Sequence, residues 1–168
     1  MKYELLSEYT LRFEGKTLFR VCSLVDMPKF GVHIGDLGGY VEGCYNLSQE
    51  GTCWIRNNAM VYGFSHVADD ALVDGDARVY DQAHISGNAR ISGRARVHGR
   101  ASVFENATVC GDVDIGEEAK ISGNARIAGD VKISGQARVK GEAWLYGHAQ
   151  VSGDTIVTVG NYGTGTIT

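Results

Sequence analysis

Three of the five histidines, His66, His84 and His98, carry the chemistry that this 168-residue chain could most readily perform. Imidazole titrates near neutral pH, serves as a general base and ligates metals. His66 and His84 are separated by an interval that, repeated once more, lands on Ser102. Two imidazoles can begin a metal site, but zinc takes three or four ligands, so no metal is expected there. Cys22, Cys44, Cys53 and Cys110 are irregularly spaced and contain no CxxC pair. They read as reduced thiols of a cytoplasmic protein rather than as zinc ligands or a disulfide framework. No Ser–His–Asp arrangement and no phosphate-cradling GxGxxG ahead of a helix is legible. No residue is therefore assigned a catalytic role, and no cofactor is expected.

A second constellation is aromatic and cationic. Tyr62, Tyr80 and His98 recur at i, i+18 and i+36, the interval of the histidine pair, and Arg78 and Arg96 each precede a ring by two. Tyr and Arg are common interface anchors, and the combination also suits stacking on bases. Read structurally, the same column is a ladder of side chains that favours strand pairing. Tyr62, Arg78, Tyr80, Arg96 and His98 are the candidate partner-binding residues. The net charge of −4 at pH 7 favours a protein partner over nucleic acid or an anionic membrane. No apolar run reaches the roughly 18 residues of a membrane span, and Met1–Thr10 lacks the apolar stretch of a secretory signal.

So regular an interval demands a regular scaffold, and the composition points to one. There are 23 Gly and a single Pro. Gly at about twice its usual 7% with so little Pro excludes collagen and Pro-rich linkers. From Cys53 to Asp154 the sequence divides into 17 uninterrupted six-residue units of the form A-x-V-x-G-x. The first position is Ala in 13 units, with Cys53, Ser65, Val113 and Val131 as the exceptions. The third is always Val, Ile or Leu. The fifth is Gly in 12 units, replaced elsewhere by Asn57, Asp69, Asp81, Glu105 and Glu117.

Positions one and three share one face of an extended segment, and that face is apolar. The following Gly, often with Asn or Asp after it, tolerates positive φ and makes a turn. A helix is excluded, because the apolar spacing fits no 3.6-residue stripe and each Gly would cost about 1 kcal/mol. A single unit leaves no room for hairpin reversal. The solution is an all-β fold: a parallel β-helix in which three units make one triangular coil. Three units span the interval that separates the rings, so each column of rings lies along one wall. Coils stack about 4.8 Å apart, and the 17 units predict about five to six coils.

The same logic distributes the remaining outward residues. A second face carries Trp54, Leu72, Arg90, Arg126, Trp144 and Tyr146, with Leu72 and Trp144 expected to be exposed. His66 and His84 share the third face. Asp70, Asn88, Asn106, Asn124 and Glu142 occupy one corner, where the Asn residues can form an amide ladder.

Residues 1–45 read as an N-terminal β cap, 46–158 as the β-helix and 159–168 as a C-terminal tail. The segment Tyr9–Cys22 reads as a hairpin with Glu14-Gly15 at its turn. An open β-helix exposes its core and unpaired backbone, so its ends need covering. The hexad pattern decays after Asp154, and either the tail folds over that end or a partner, or residues outside this chain, cover it.

Gly35-Asp-Leu-Gly-Gly-Tyr-Val-Glu42, Asn46-Leu-Ser-Gln-Glu-Gly-Thr-Cys-Trp-Ile55, Asn58-Ala59 and the hexads that follow resemble YdcK-like single-stranded left-handed β-helix proteins and their phage-encoded relatives. The resemblance implies left-handed winding, a capped N-terminus and no established activity. The hexads also resemble those of acyltransferases, which use a His base and acyl-CoA. Those enzymes, however, usually place Gly or an acidic residue directly after the aliphatic position. The units here also carry no inserted loop, where active residues usually sit. The expectation is a non-enzymatic, cytoplasmic scaffold or protein-interaction module, with a phage setting as one source. The alternatives are a self-assembling homo-oligomer, stacked end to end or trimeric, and an acyltransferase-like enzyme.

Overall fold

The Ala-x-Val units become strands, most of only two residues, as in Arg78–Val79, Arg96–Val97 and Asp114–Ile115. This is the arrangement in a computed structural model, which describes residues 1–168. Arg96 pairs in parallel with Arg78 in the preceding coil and with Asp114 in the next. Each coil therefore spans three units, and the fold is a parallel β-solenoid with three strand columns. Three amides of each unit point toward the following coil. Arg78 N–H donates to the Ala95 carbonyl at 2.9 Å, Tyr80 to Val97 at 3.0 Å and Gln82 to Gly99 at 2.8 Å. Most donors therefore face the C-terminal end of the solenoid and most acceptors its N-terminal end; only the third-position amide, such as that of Val97, points back toward the preceding coil, as parallel pairing requires.

First and third positions fill the interior, where Ala77, Val79, Ala95 and Val97 are fully buried. Three walls converge there, which limits the first position to small residues. The corner conformation explains the fifth position. Its five non-Gly residues, Asn57, Asp69, Asp81, Glu105 and Glu117, all adopt φ between +56° and +60°. A left-handed conformation costs a non-Gly residue roughly 1–2 kcal/mol. The four acidic residues offset that strain in one way. The carboxylates of Asp69, Asp81, Glu105 and Glu117 accept from the N–H of Gly87, Gly99, Gly123 and Gly135, at 2.9, 3.1, 2.5 and 2.5 Å. Each of those donors is the equivalent corner Gly of the next coil, whose amide lies outside the ladder. Acidic and Gly residues thus alternate along two of the three corner columns, and no two of these fifth-position carboxylates stack directly.

At the N-terminus, β1 (Tyr3–Phe13) and β2 (Lys16–Ser23) form the expected hairpin, turning through Glu14 and Gly15. β2 also pairs antiparallel with β3 (Leu37–Val41), and β3 pairs parallel with Met60–Val61. β3 is thus where antiparallel cap becomes parallel coil. Its Gly pair is required by close approach: a Cβ on Gly39 would collide with the Ala59 carbonyl oxygen. Below it, the buried Asn46 stitches the first bend. Its carbonyl oxygen accepts from Glu42 and Gly43 N–H, and its amide donates to the carbonyls of Gly63 and Ser65.

The coil count is higher than the hexads predict. A parallel bridge from Leu47 to Val67 extends the stack upstream. Downstream, Asn161–Ile167 pairs parallel with Trp144–Val151. The strand columns hold about seven turns. The last turn is illegible in the sequence because its register shortens: Leu145 faces Tyr162, and His148 faces Thr164. That spacing breaks the hexad rule while preserving the pairing.

Candidate interaction surface

The predicted ring column forms. Tyr62 and Tyr80 stack with centroids 5.3 Å apart and planes 7° apart, and Tyr80 and His98 follow at 5.1 Å and 10°. Tyr62, however, is withdrawn from the surface. It is 3% exposed, because the hairpin turn lays Phe13 edge-on against it at 5.6 Å. The Tyr62 hydroxyl donates to the Glu14 carboxylate at 3.4 Å. Burial, and after it the Glu14 charge, hold that phenol well above its ordinary pKa. Arg78 is also engaged, with its guanidinium 4.7 Å from the Phe13 ring centre. The expected five-residue patch therefore divides. Tyr62 and Arg78 hold the hairpin, a contact no local spacing predicts, and Tyr80, Arg96 and His98 face outward.

His98 has a partner that the sequence reading missed. Its Nε2 lies 2.8 Å from Asp114 Oδ1, and Arg96 approaches the other oxygen at 3.8 Å. Asp114 sits opposite Arg96 in the next coil, so coil geometry applied diagonally from His98 could have found it. Gly116 completes the arrangement. A Cβ there would come within 2.5 Å of His98 Cε1, so any side chain at 116 would displace the ring. Beyond it is a shallow depression of about 190 Å³ lined by His98, Asp114, Glu117, Lys132 and Ser134. Beside the column is a wider groove of about 360 Å³, lined by Asp76, Arg78, Arg94, Arg96, Asp112 and Asp130. No hydrophobic residue lines it, and Arg94 pairs with Asp112 at 2.6 Å. Charges of both signs at regular spacing can register a complementary polar surface; they do not form a cavity for an apolar ligand.

The second face is corrected in the same way. Trp54 and Leu72 are buried, Leu72 being 5% exposed. The cap segment Met27–Val32 reaches down this face. The Phe30 carbonyl accepts from Arg56 at 3.5 Å, Arg90 lies 5.9 Å from the Phe30 ring centre, and Lys29 donates to Asn88 at 2.8 Å and pairs with Asp70 at 3.2 Å. At the other end of this face, Trp144 and Tyr146 are exposed, as predicted for Trp144, with rings 5.1 Å apart.

On the third face, His66 and His84 stack at 5.7 Å. His66 Nδ1 lies 2.6 Å from the Tyr45 carbonyl, which makes that nitrogen the protonated one. Burial, then the neighbouring His66, lowers the His84 pKa. The corner ladder runs Asn106 to Asn124 at 3.3 Å and Asn124 to Glu142 at 2.7 Å. Asn88 leaves it to serve Lys29.

No curated protein matches the chain. Residues 83–99, the coil that carries His84, Arg96 and His98, match the family model of the YdcK β-solenoid repeat, in keeping with the β-solenoid that the chain forms from β3 onward.

Proposed function

We propose that this chain is a non-enzymatic, rigid scaffold that binds a protein partner through Tyr80, Arg96 and His98. The supporting observation is a ring stack whose last member, His98, is fixed by Asp114 and seated over Gly116 beside a groove lined by charged residues. A rigid surface needs little ordering on binding, which favours affinity. The resemblance to phage-encoded relatives suggests a host or viral protein as the partner, met in the cytoplasm, where the four unpaired thiols remain reduced.

A Tyr80→Ala/Arg96→Ala double variant tests this by quantitative pull-down. Loss of two such anchors removes about 2 kcal/mol or more of binding, so recovery of the partner falls at least tenfold. Unchanged recovery contradicts the reading.

A second reading, self-association, is favoured by the C-terminal end. Ile156 and Val159 are 57% and 67% exposed there, and in its column no strand lies beyond Ile156–Val157. Sedimentation showing only monomer at high concentration removes it.

A further inference from the structure

Lys2 is 5% exposed, and none of its partners is a carboxylate. Its ammonium donates to the carbonyls of Glu50 at 3.2 Å and Cys53 at 2.9 Å, and to the Cys53 thiol sulfur at 3.0 Å. Cys53 is fully buried. Its sulfur otherwise faces the carbonyl oxygens of Ser48, Glu50 and Val67 at 3.6–3.8 Å. A buried cation without a counter-charge is costly, and here it is held directly against a thiol sulfur. An open depression of about 380 Å³, lined by Lys2, Asp26, Gln49, Glu50 and Thr52 among others, reaches Lys2 from solvent and ends one residue short of Cys53 in the chain.

We propose that Lys2 and Cys53 are an oxidative cross-linking site, joined through one oxygen as an Nζ–O–Sγ bridge when the protein meets hydrogen peroxide. The Cys53 sulfur attacks one peroxide oxygen, giving a sulfenic acid and water. The Lys2 ammonium releases a proton to water. A second peroxide then takes two electrons from the pair as the N–O bond forms. The sulfenic hydrogen and one amine hydrogen leave with the peroxide atoms as two waters. The Nζ–Sγ separation of 3.0 Å admits a bridging oxygen with little movement, whereas a direct N–S bond would require a much larger approach. The bridge ties the cap covalently to the first coil. It stands apart from the partner-binding reading, because neither residue lies on the Tyr80 face.

The test is mass spectrometry of tryptic peptides from the full chain after peroxide treatment. Trypsin spares a modified Lys2, so residues 1–12 should appear joined to residues 30–56. The joined mass is the sum of both peptides plus one oxygen and minus two hydrogens, with fragment ions placing the link at Cys53. Dithiothreitol should abolish it, and Lys2→Arg and Cys53→Ser should each prevent it. Lys2→Arg keeps a donor to the carbonyls and carries the test alone if Cys53→Ser does not fold. The proposal is overturned if Cys53 stays a free thiol, becomes sulfinic or sulfonic acid, or links to nitrogen without oxygen, under peroxide that oxidises the exposed Cys44.

Discussion

The two ends of the solenoid face the same problem from opposite sides, and the cap resolves it at one end. Because most amides of each coil point toward the next, the first coil is left with an excess of unpaired carbonyls and the last with an excess of unpaired N–H groups. At the N-terminal end, side chains supply the missing donors. The Lys2 ammonium reaches the Glu50 and Cys53 carbonyls, and the Tyr3 hydroxyl reaches Leu47 at 2.6 Å and Cys44 at 3.1 Å. Burial raises the Tyr3 pKa to about 12, so its hydroxyl stays a donor. β2 and β3 complete the edge with antiparallel pairing. At the C-terminal end, Lys140 N–H still finds Val157 at 2.8 Å and Gln136 N–H finds Gly153 at 2.8 Å, but the amides one coil on, Thr158 and Asp154, make no backbone hydrogen bond. The cap does more than close an end. It extends down two faces and covers Tyr62 and Leu72, so the first coils are covered on their sides as well.

This contrast predicts unequal responses to substitution. The largest is Gly39→Val, whose side chain has no room against the Ala59 carbonyl. It should cost about 3 kcal/mol in urea unfolding. Lys2→Met leaves the Glu50 and Cys53 carbonyls without their donor and should cost about 2 kcal/mol, with Tyr3→Phe costing about 1. At the bare end, Val159→Asp should change stability by less than about 0.5 kcal/mol. A loss there as large as that of Lys2→Met would erase the asymmetry.

Acid should loosen the capped end. Hydrogen bonding from Arg56 lowers the Asp74 pKa below its ordinary 3.8, and hydrogen bonds from Thr52 do the same for Asp70. Arg56 and Lys29 also tie these carboxylates to cap residues Phe30 and Lys29 itself. Lowered carboxylate values mean stability that is present above about pH 4 and lost as pH falls through the folded-state values. The Arg56–Asp74 pair is partly solvated, so its share is about 1 kcal/mol. Asp74→Asn should flatten the acid limb of a stability–pH curve, and an unchanged limb would refute the assignment.

The corners give the smallest and most selective effect. Asp81→Gly loses the bond to Gly99 N–H but also the left-handed strain, and should be nearly neutral. Asp81→Ala keeps the strain and loses the bond, and should cost about 1 kcal/mol. Equal effects of the two, measured by thermal unfolding, would show that the carboxylate bond does not offset the strain.

The parts of this molecule that were legible are those governed by local repetition. Ala77 and Val79 point inward because residues two apart share a strand face. Asp81 sits where Gly otherwise would because it occupies the same corner of the same period. The ring stack from Tyr62 to His98 follows from the three-unit spacing alone. The hidden parts depend on segments that meet only in space. Phe13 covers Tyr62 from far back in the chain, and Phe30 descends over the Trp54 face with no periodic signal. Asp114 escaped because side chains lean diagonally between coils, and the Asn161–Ile167 strand because its register departs from the coil period. Lys2 and Tyr3 escaped because end closure is a property of the stack's polarity, which composition does not display.

The most direct test of the end asymmetry is residue-resolved hydrogen exchange, at a concentration where sedimentation shows monomer. Amides of β3 and the Cys53–Val61 coil should exchange only through global unfolding, with protection falling toward Ile156–Val157 and Asn161–Ile167. Uniform protection along the stack, or a last coil protected more than the first, would contradict it.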